Sequence, residues 1–292
     1  MTETTILERD PITSGRELPL DERFSYRALR SYVYKSTPQF DLKIHVHFPH
    51  DWRPTDRRAA IVFFFGGGLL DGTPEQFTRQ AVALAGRGMV VARADYRVML
   101  KHNVTADRCV ADAKSAVRWV RVHADELGVD PNRIAAGGGS SGGFLAAAAG
   151  ILPGFDEPGE DTTVSPKPNL MVLFNPALDI HSRTALDLSG VSGPLREILP
   201  QCVAPTEALA QSLHISSHLT PDVPPMWVWY GTADPIYRFA QGFLAKAREL
   251  RCRLVLELTE GADHGYFNDY LPVYRETLAG VAEFLAAHGY LE

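Results

Sequence analysis

Two serines, Ser140 and Ser141, stand inside a run of glycines, and that setting can turn a hydroxyl into a reagent. In RIAAGGGSSGGFLAAAAG, residues 133–150, an apolar strand end at Arg133–Ala136 leads into residues 137–143 and then a small-residue helix at Phe144–Gly150. Gly138-Gly139-Ser140-Ser141-Gly142 fits G-x-S-x-G, a sharp strand-to-helix turn that holds its central serine in a strained conformation above a sheet. The glycines are steric requirements, since Cβ atoms there would strike the neighbouring strand and helix. A serine so held is a candidate nucleophile.

The same letters allow other readings. Gly139-Ser140-Ser141-Gly142-Gly143 fits the pattern with Ser141 at its centre. Gly137, Gly139 and Gly142 spell G-x-G-x-x-G, but a dinucleotide site also wants an acidic residue about 20 positions on, ending the next strand. Asp156 and Glu157 fall in a Pro/Gly-rich loop instead, and no lysine follows to make a phosphate loop.

A serine hydroxyl needs a histidine to accept its proton and a carboxylate to orient that histidine. Asp234, in MWVWYGTADP, directly follows an apolar run, and His264, in ELTEGADHGYFN, lies in the loop after the last one. The order Ser140, Asp234, His264 suits a nucleophile presented at the top of a parallel sheet. Asp234 has a second reading, as a cap on a helix beginning at Pro235. Asp179 is the alternative acid, and Asp263 reads as a loop-stabilising neighbour.

The reaction also needs N–H groups aimed at a developing oxyanion. Gly67 and Gly68, after the apolar run Ile61–Phe65, are candidates, joined by the N–H of Ser141 at a helix N-terminus. Phe63–Phe65 reads as core, with Phe65 and Leu69 as candidate walls of a substrate pocket. The pairs His45/His47 and His214/His218 have metal-ligand spacing but no obvious third ligand. They read as ordinary histidines rather than metal ligands.

The elements that must position these residues alternate. Tyr32–Lys35 and Leu42–Phe48 read as strands joined by a turn near Thr37-Pro38. Ile61–Phe65, Met89–Ala94, Leu170–Phe174, Met226–Tyr230 and Leu254–Leu258 read as buried strands. Helices are expected over Pro74–Arg87, over about 20 residues from Ala106 to Leu127, and over 271–287. Strand–helix alternation predicts an α/β fold with a mainly parallel central sheet covered on both faces. Residues 1–22 read as a peripheral segment, 152–168 as a surface loop, and 181–222 as a cap or lid excursion within one domain over 1–292.

Composition narrows the partners. A net charge of -6 gives no electrostatic reason to bind nucleic acid or an anionic membrane. No stretch approaches the ~20 apolar residues of a membrane span, and the N-terminus lacks the basic and apolar regions of a signal peptide. Cys109, Cys202 and Cys252 lie far apart and are odd in number, which suggests free thiols and a cytoplasmic setting. A homo-oligomer is compatible with this composition.

The segments FFFGGGLLDG (63–72), VVARADYRV (90–98), GGSSGG (138–143), GTADP (231–235) and DHGYF (263–267) resemble α/β-hydrolases of the hormone-sensitive-lipase-like and acetyl-esterase type. They span most of the chain in the family's order. The six-residue pattern ending in Gly-Gly selects Ser140 over Ser141. The resemblance implies an α/β-hydrolase fold and hydrolysis of small carboxylic esters with short acyl groups, with no metal or organic cofactor, an acetylated sugar being among the candidate substrates. Two positions depart from it: Phe65 replaces the histidine that usually opens the oxyanion motif, and Gly139 replaces a residue that is often acidic. A working oxyanion hole with altered support is therefore expected, and Asp95-Tyr96-Arg97 reads as structural. An amidase or formamidase with the same triad, and a non-catalytic binding protein, are the alternative readings.

Overall fold

The apolar runs become strands whose alternate residues feed two different cores. In β4 (Arg58–Phe64), Ala60, Val62 and Phe64 join one cluster, while Ile61 and Phe63 join the other. The same split runs through β7 (Leu170–Phe174) and β8 (Met226–Gly231), where Trp227 and Trp229 face away from Val228 and Tyr230. Side chains alternate across a strand, so a sheet buried on both faces reads as a continuous hydrophobic run.

The computed structural model describes residues 7–8, 28–38, 40–179 and 204–292. The remaining strands are β1 (Leu7–Glu8), β2 (Ala28–Ser36), β3 (Asp41–Phe48), β5 (Val90–Ala94), β6 (Val129–Gly139) and β9 (Leu254–Thr259). They form one sheet in the order β1-β9-β8-β7-β6-β4-β5-β3-β2. Pairing is parallel from β1 to β5, and β3 and β2 add antiparallel strands at one edge. The mainly parallel sheet expected from the sequence is present.

One core packs under α3 (Ala106–Val122), α4 (Ala124–Leu127), α5 (Ser141–Ile151) and α7 (Gln241–Glu249). The other packs under α1 (Thr78–Ala85) and α9 (Leu271–Ala287). Short helices α2 (Met99–His102), α6 (Glu207–Ser212) and α8 (Tyr266–Asp269) occupy loops. Among the described residues no helix is long and apolar enough to cross a membrane.

Two expected elements take a different form. The helix expected over Pro74–Arg87 opens as a 3-10 turn, Pro74–Phe77, before α1 begins. The stretch 106–127 divides at His123, whose φ of -95° and ψ of 18° leave the helical region. Gly128, at φ 63°, closes α4 in a left-handed conformation suited to glycine.

The loop 152–168 lies outside helices and strands but is tied down. Arg118 pairs with Asp156 and Glu160, and Arg97 and Lys35 both pair with Glu157. Of the expected cap, residues 181–203 lie outside the described residues, including Leu186, Leu188, Val191, Leu195 and Ile198. Its remainder carries α6 and a 3-10 turn, Ile215–His218, with Leu213 and Ile215 in the core. Leu7–Glu8, within the segment expected to be peripheral, pairs with β9 at the sheet edge.

Candidate active site

β6 runs through Gly137, Gly138 and Gly139 before the chain turns, so the strand is longer than the apolar residues alone suggest. These glycines are strand because of what flanks them. A Cβ on Gly137 would lie 2.8 Å from the Phe63 ring, and one on Gly138 would lie 2.4 Å from the backbone of Gly142. Beyond them Ser140 adopts φ 55° and ψ -122°. Its N–H donates to Phe174 O at 3.0 Å, while its carbonyl accepts from Phe144 N and Ala177 N. Strain at this residue is thus held from both sides by the backbone.

Asp234 follows β8 in a tight turn that returns its N–H to Gly231 O. One carboxylate oxygen, Oδ1, accepts from Ile236 N at 2.8 Å, a bond within the turn; the 3-10 turn Tyr237–Ala240 begins two residues later than the expected helix, and no side chain caps it. The other, Oδ2, lies 2.8 Å from His264 Nδ1. The two bonds use different oxygens. His264, in the loop after β9, has Nε2 at 3.0 Å from Ser140 Oγ. Because a carboxylate can only accept, Nδ1 carries the proton and Nε2 presents its lone pair to the serine hydroxyl. Asp234 is buried, whereas the His264 side chain is 34% exposed.

The other candidates separate from this cluster. Asp179 is engaged by Ser216 through both its backbone N–H and its hydroxyl. Asp263 accepts the His264 backbone N–H at 2.6 Å, a loop-stabilising bond. Ser141 is buried at the start of α5. His45 bonds Ser31, His47 accepts from Arg93, and His214 bonds Ser217. Cys109 and Cys252 are buried free thiols, with burial pushing both above the ordinary thiol range.

The glycine run after β4 lies beside Ser140. Gly67 and Gly68 sit at φ 132° and 67°, and a Cβ on Gly67 would come 1.9 Å from Asp71 O. The Gly67 carbonyl accepts from Leu70 N and Asp71 N. Among the described residues the N–H groups of Gly67, Gly68 and Ser141 have no acceptor. Phe65 and Leu69 are buried in the core behind this loop, Phe65 stacked on Tyr96 at 4.1 Å.

Both departures from the expected pattern have local causes. Where a histidine would open the oxyanion motif, Phe65 stacks on Tyr96, whose hydroxyl donates to Phe65 O at 2.8 Å. Where an acidic residue would precede the serine, a Cβ on Gly139 would lie 2.5 Å from Phe267. That ring leaves no room for a side chain.

Two further residues join the site without having been singled out in the sequence. Gln76 Oε1 accepts the Gly66 N–H at 2.6 Å. Asn175, directly after β7, brings its side-chain amide to 2.6 Å from His264 Nδ1. Asn175 obeys the positional rule that points to Asp234, a polar residue just past the C-terminal end of a buried strand. Gln76 carries no such signal.

All of these groups cluster where β4, β6, β7, β8 and β9 end, the edge at which open parallel sheets bind ligands. Residues 46–248 match the family described as BD-FAE. The chain is similar to esterase 2 of Thermogutta terrifontis, in a structure phosphonylated by sarin, with 42% identity, 91% of this chain and 97% of that one covered, and a TM-score of 0.83. The propionate-bound structure of the same esterase gives 42% identity, 94% and 97% coverage, and a TM-score of 0.81. Carboxylesterase NlhH of Mycobacterium tuberculosis is 36% identical over 113 residues, 38% of this chain. That match spans about a third of NlhH's own length, 34%.

Proposed function

This chain belongs to the BD-FAE family and has an α/β-hydrolase fold, and from that premise we propose that it is a serine carboxylic ester hydrolase acting on short acyl groups. The observation that carries the proposal is one imidazole bridging a strained serine and a buried carboxylate, at 3.0 and 2.8 Å. Support also comes from the esterase names of its relatives and from similarity to a solved esterase over 91% of this chain.

In this mechanism Ser140 Oγ attacks the ester carbonyl carbon as His264 Nε2 takes its proton. The oxyanion that forms is held by the N–H groups of Gly67, Gly68 and Ser141, none of which has a competing acceptor among the described residues. Collapse breaks the bond to the alcohol oxygen, which receives the proton from His264. Water then adds to the acyl-Ser140 ester, giving its proton to His264, and the second collapse releases the acid and restores the serine hydroxyl. Asp234 keeps the histidine in the required tautomer and favours its charged form.

The short-acyl preference is supported by the propionate bound to the Thermogutta esterase. The decisive experiment compares wild type with Ser140→Ala on p-nitrophenyl acetate, butyrate and octanoate, a matched anilide and acetylated sugars. Expected is a loss on the order of 10⁴–10⁶ in kcat for Ser140→Ala, with acetate or butyrate the best acyl group. A Ser140→Ala protein of undiminished activity overturns the mechanism. A rate that rises steadily to eight carbons overturns the acyl preference, and faster cleavage of the anilide marks an amidase. Labelling by a fluorophosphonate probe is expected, by likeness to the sarin-phosphonylated relative.

A further inference from the structure

Among the described residues seven large hydrophobic side chains are exposed, and three of them stand within seven positions of His264: Tyr266 at 37%, Tyr270 at 52% and Leu271 at 46%. Gly265, at φ 88°, turns the chain directly after the histidine, and its carbonyl accepts from Asn268 N at 2.9 Å and Asp269 N at 3.0 Å, so α8 winds tightly beside His264. Phe267 is the inward residue of this helix. It is buried, with Cζ 2.5 Å from where a Cβ on Gly139 would sit, next to Ser140. Tyr266 and Tyr270 are the outward pair. Tyr270 N donates to Tyr266 O at 3.2 Å, and the two rings lie 5.4 Å apart at a tilt of 50°. Residues four apart on a helical turn share a face. Among the described residues no cation covers either ring, whereas Arg79 lies over Tyr274, four residues on, at 5.9 Å.

The reaction proposed above dictates which half of a substrate meets these rings. His264 Nε2 gives its proton to the alcohol oxygen as the ester bond to that oxygen breaks, so the oxygen must come within about 2.6–3.2 Å of the imidazole. The carbonyl oxygen is directed to Gly67, Gly68 and Ser141, which leaves the alcohol half on the histidine side. Two residues of chain span at most about 7 Å, so the backbone of Tyr266 is that near to His264. A group a few atoms beyond the alcohol oxygen is then within reach of the tyrosine side chain. An aromatic face in water gains when another ring covers it, and a straight alkyl chain covers less of such a face.

We propose that Tyr266 and Tyr270 form a platform for the alcohol half of the ester and select ring-bearing alcohols, aromatic or sugar, over straight-chain ones. The rings do not touch the reacting atoms, so they hold ground state and transition state alike, and their effect falls on KM more than on kcat. The proposal rests on His264 being the base that protonates the leaving alcohol.

The test holds the acyl group fixed and varies the alcohol. Wild type, Tyr266→Ala, Tyr270→Ala, the double alanine variant and Tyr266→Phe, each as the full chain, are assayed on benzyl acetate, n-butyl acetate and an acetylated methyl glucoside. A ring contact is worth about 2- to 10-fold in binding. We expect the benzyl-to-butyl ratio of kcat/KM to fall by about that factor in each single alanine variant, chiefly through a raised KM, and to be kept in Tyr266→Phe. A matching fall in the glucoside-to-butyl ratio brings sugars into the class, and a fall confined to benzyl acetate makes the class aromatic. Tyrosines that merely support the histidine loop lower all three rates together and leave both ratios in place, and that result overturns the proposal. Should the double variant not fold, the single variants decide by the same ratios. Failure of the underlying mechanism is separate, because it shows as an active Ser140→Ala protein.

Discussion

Gln76 Oε1 accepts the backbone N–H of Gly66 at 2.6 Å, so the glycine run after β4 is anchored by a side chain ten residues further along. The anchor matters because Gly66 is packed against the serine turn, where its Cβ position lies 3.1 Å from Ser140 Cβ. With Tyr96 bonded to the Phe65 carbonyl, two side chains fix the loop where the resemblance leads one to expect a histidine.

Gln76→Leu removes the acceptor and frees the loop to shift. A displacement of about 1 Å at a reacting centre can cost on the order of 100-fold. We expect kcat/KM on p-nitrophenyl acetate to fall 10- to 100-fold, roughly. Gln76→Glu keeps an acceptor and retains most of the activity. A leucine variant within about twofold of wild type refutes the anchoring role.

The chemistry of this site was legible where it coincided with strand ends. Ser140, Asp234 and His264 each follow an apolar run, and their residue types name their roles. Gly137–Gly139 read as turn because glycine has no strand preference, yet the missing Cβ atoms are what let β6 pass Phe63 and Val172. The split of 106–127 at His123 was hidden because the apolar spacing continues across it. Gln76 was hidden more deeply, since one side-chain bond to a backbone N–H leaves no periodicity. Asn175 sat in the right place, but an amide is neither acid nor base, so type-based reasoning passed over it.

Asp112 is fully buried and collects two cations. Its carboxylate takes Arg97 Nε at 2.8 Å, Arg97 Nη2 at 2.7 Å and Lys35 Nζ at 2.6 Å. Arg97 directly follows Tyr96, whose hydroxyl donates to Phe65 O. Asp112→Ala leaves Arg97 and Lys35 sharing Glu157 as their remaining ion-pair partner among the described residues. Breaking a buried pair from one side costs about 3–5 kcal/mol. The expected readout is a melting temperature lower by roughly 5–10 °C, measured by circular dichroism. An unchanged melting temperature contradicts the account.

His47 predicts how stability responds to acid. Burial pushes its imidazole down to about 4, reinforced by the charge of Arg93 and by His45. The unfolded chain protonates near 6.5, so between 6.5 and about 4 the unfolded state binds more protons and gains. Stability is full above 6.5, declines as pH falls through that window, and the decline from this group ends below about 4. The whole effect is about 3 kcal/mol. His47→Gln removes it, so its melting temperature falls less steeply than that of wild type between pH 6.5 and 4.5. Parallel curves for the two proteins count against the assignment.

Gly139 and Phe267 couple the serine to the histidine loop. A Cβ on Gly139 would lie 2.5 Å from Phe267 Cζ, and Phe267 is three residues past His264 in α8. The ring cannot easily move away, because it stacks on Phe174 at 5.0 Å and Phe77 at 5.7 Å. Gly139→Ala must therefore displace either the serine turn or the histidine loop, and we expect kcat to fall about 10- to 100-fold. Phe267→Leu shortens the obstructing side chain. In the double variant the loss is smaller than the sum of the single losses, by about 0.5–3 kcal/mol of coupling. Gly138→Ala offers no such relief, because its Cβ meets backbone on both sides, Gly142 at 2.4 Å and Phe64 O at 2.6 Å. Additive effects at 139 and 267, measured in one cycle of kcat values, rule out the coupling.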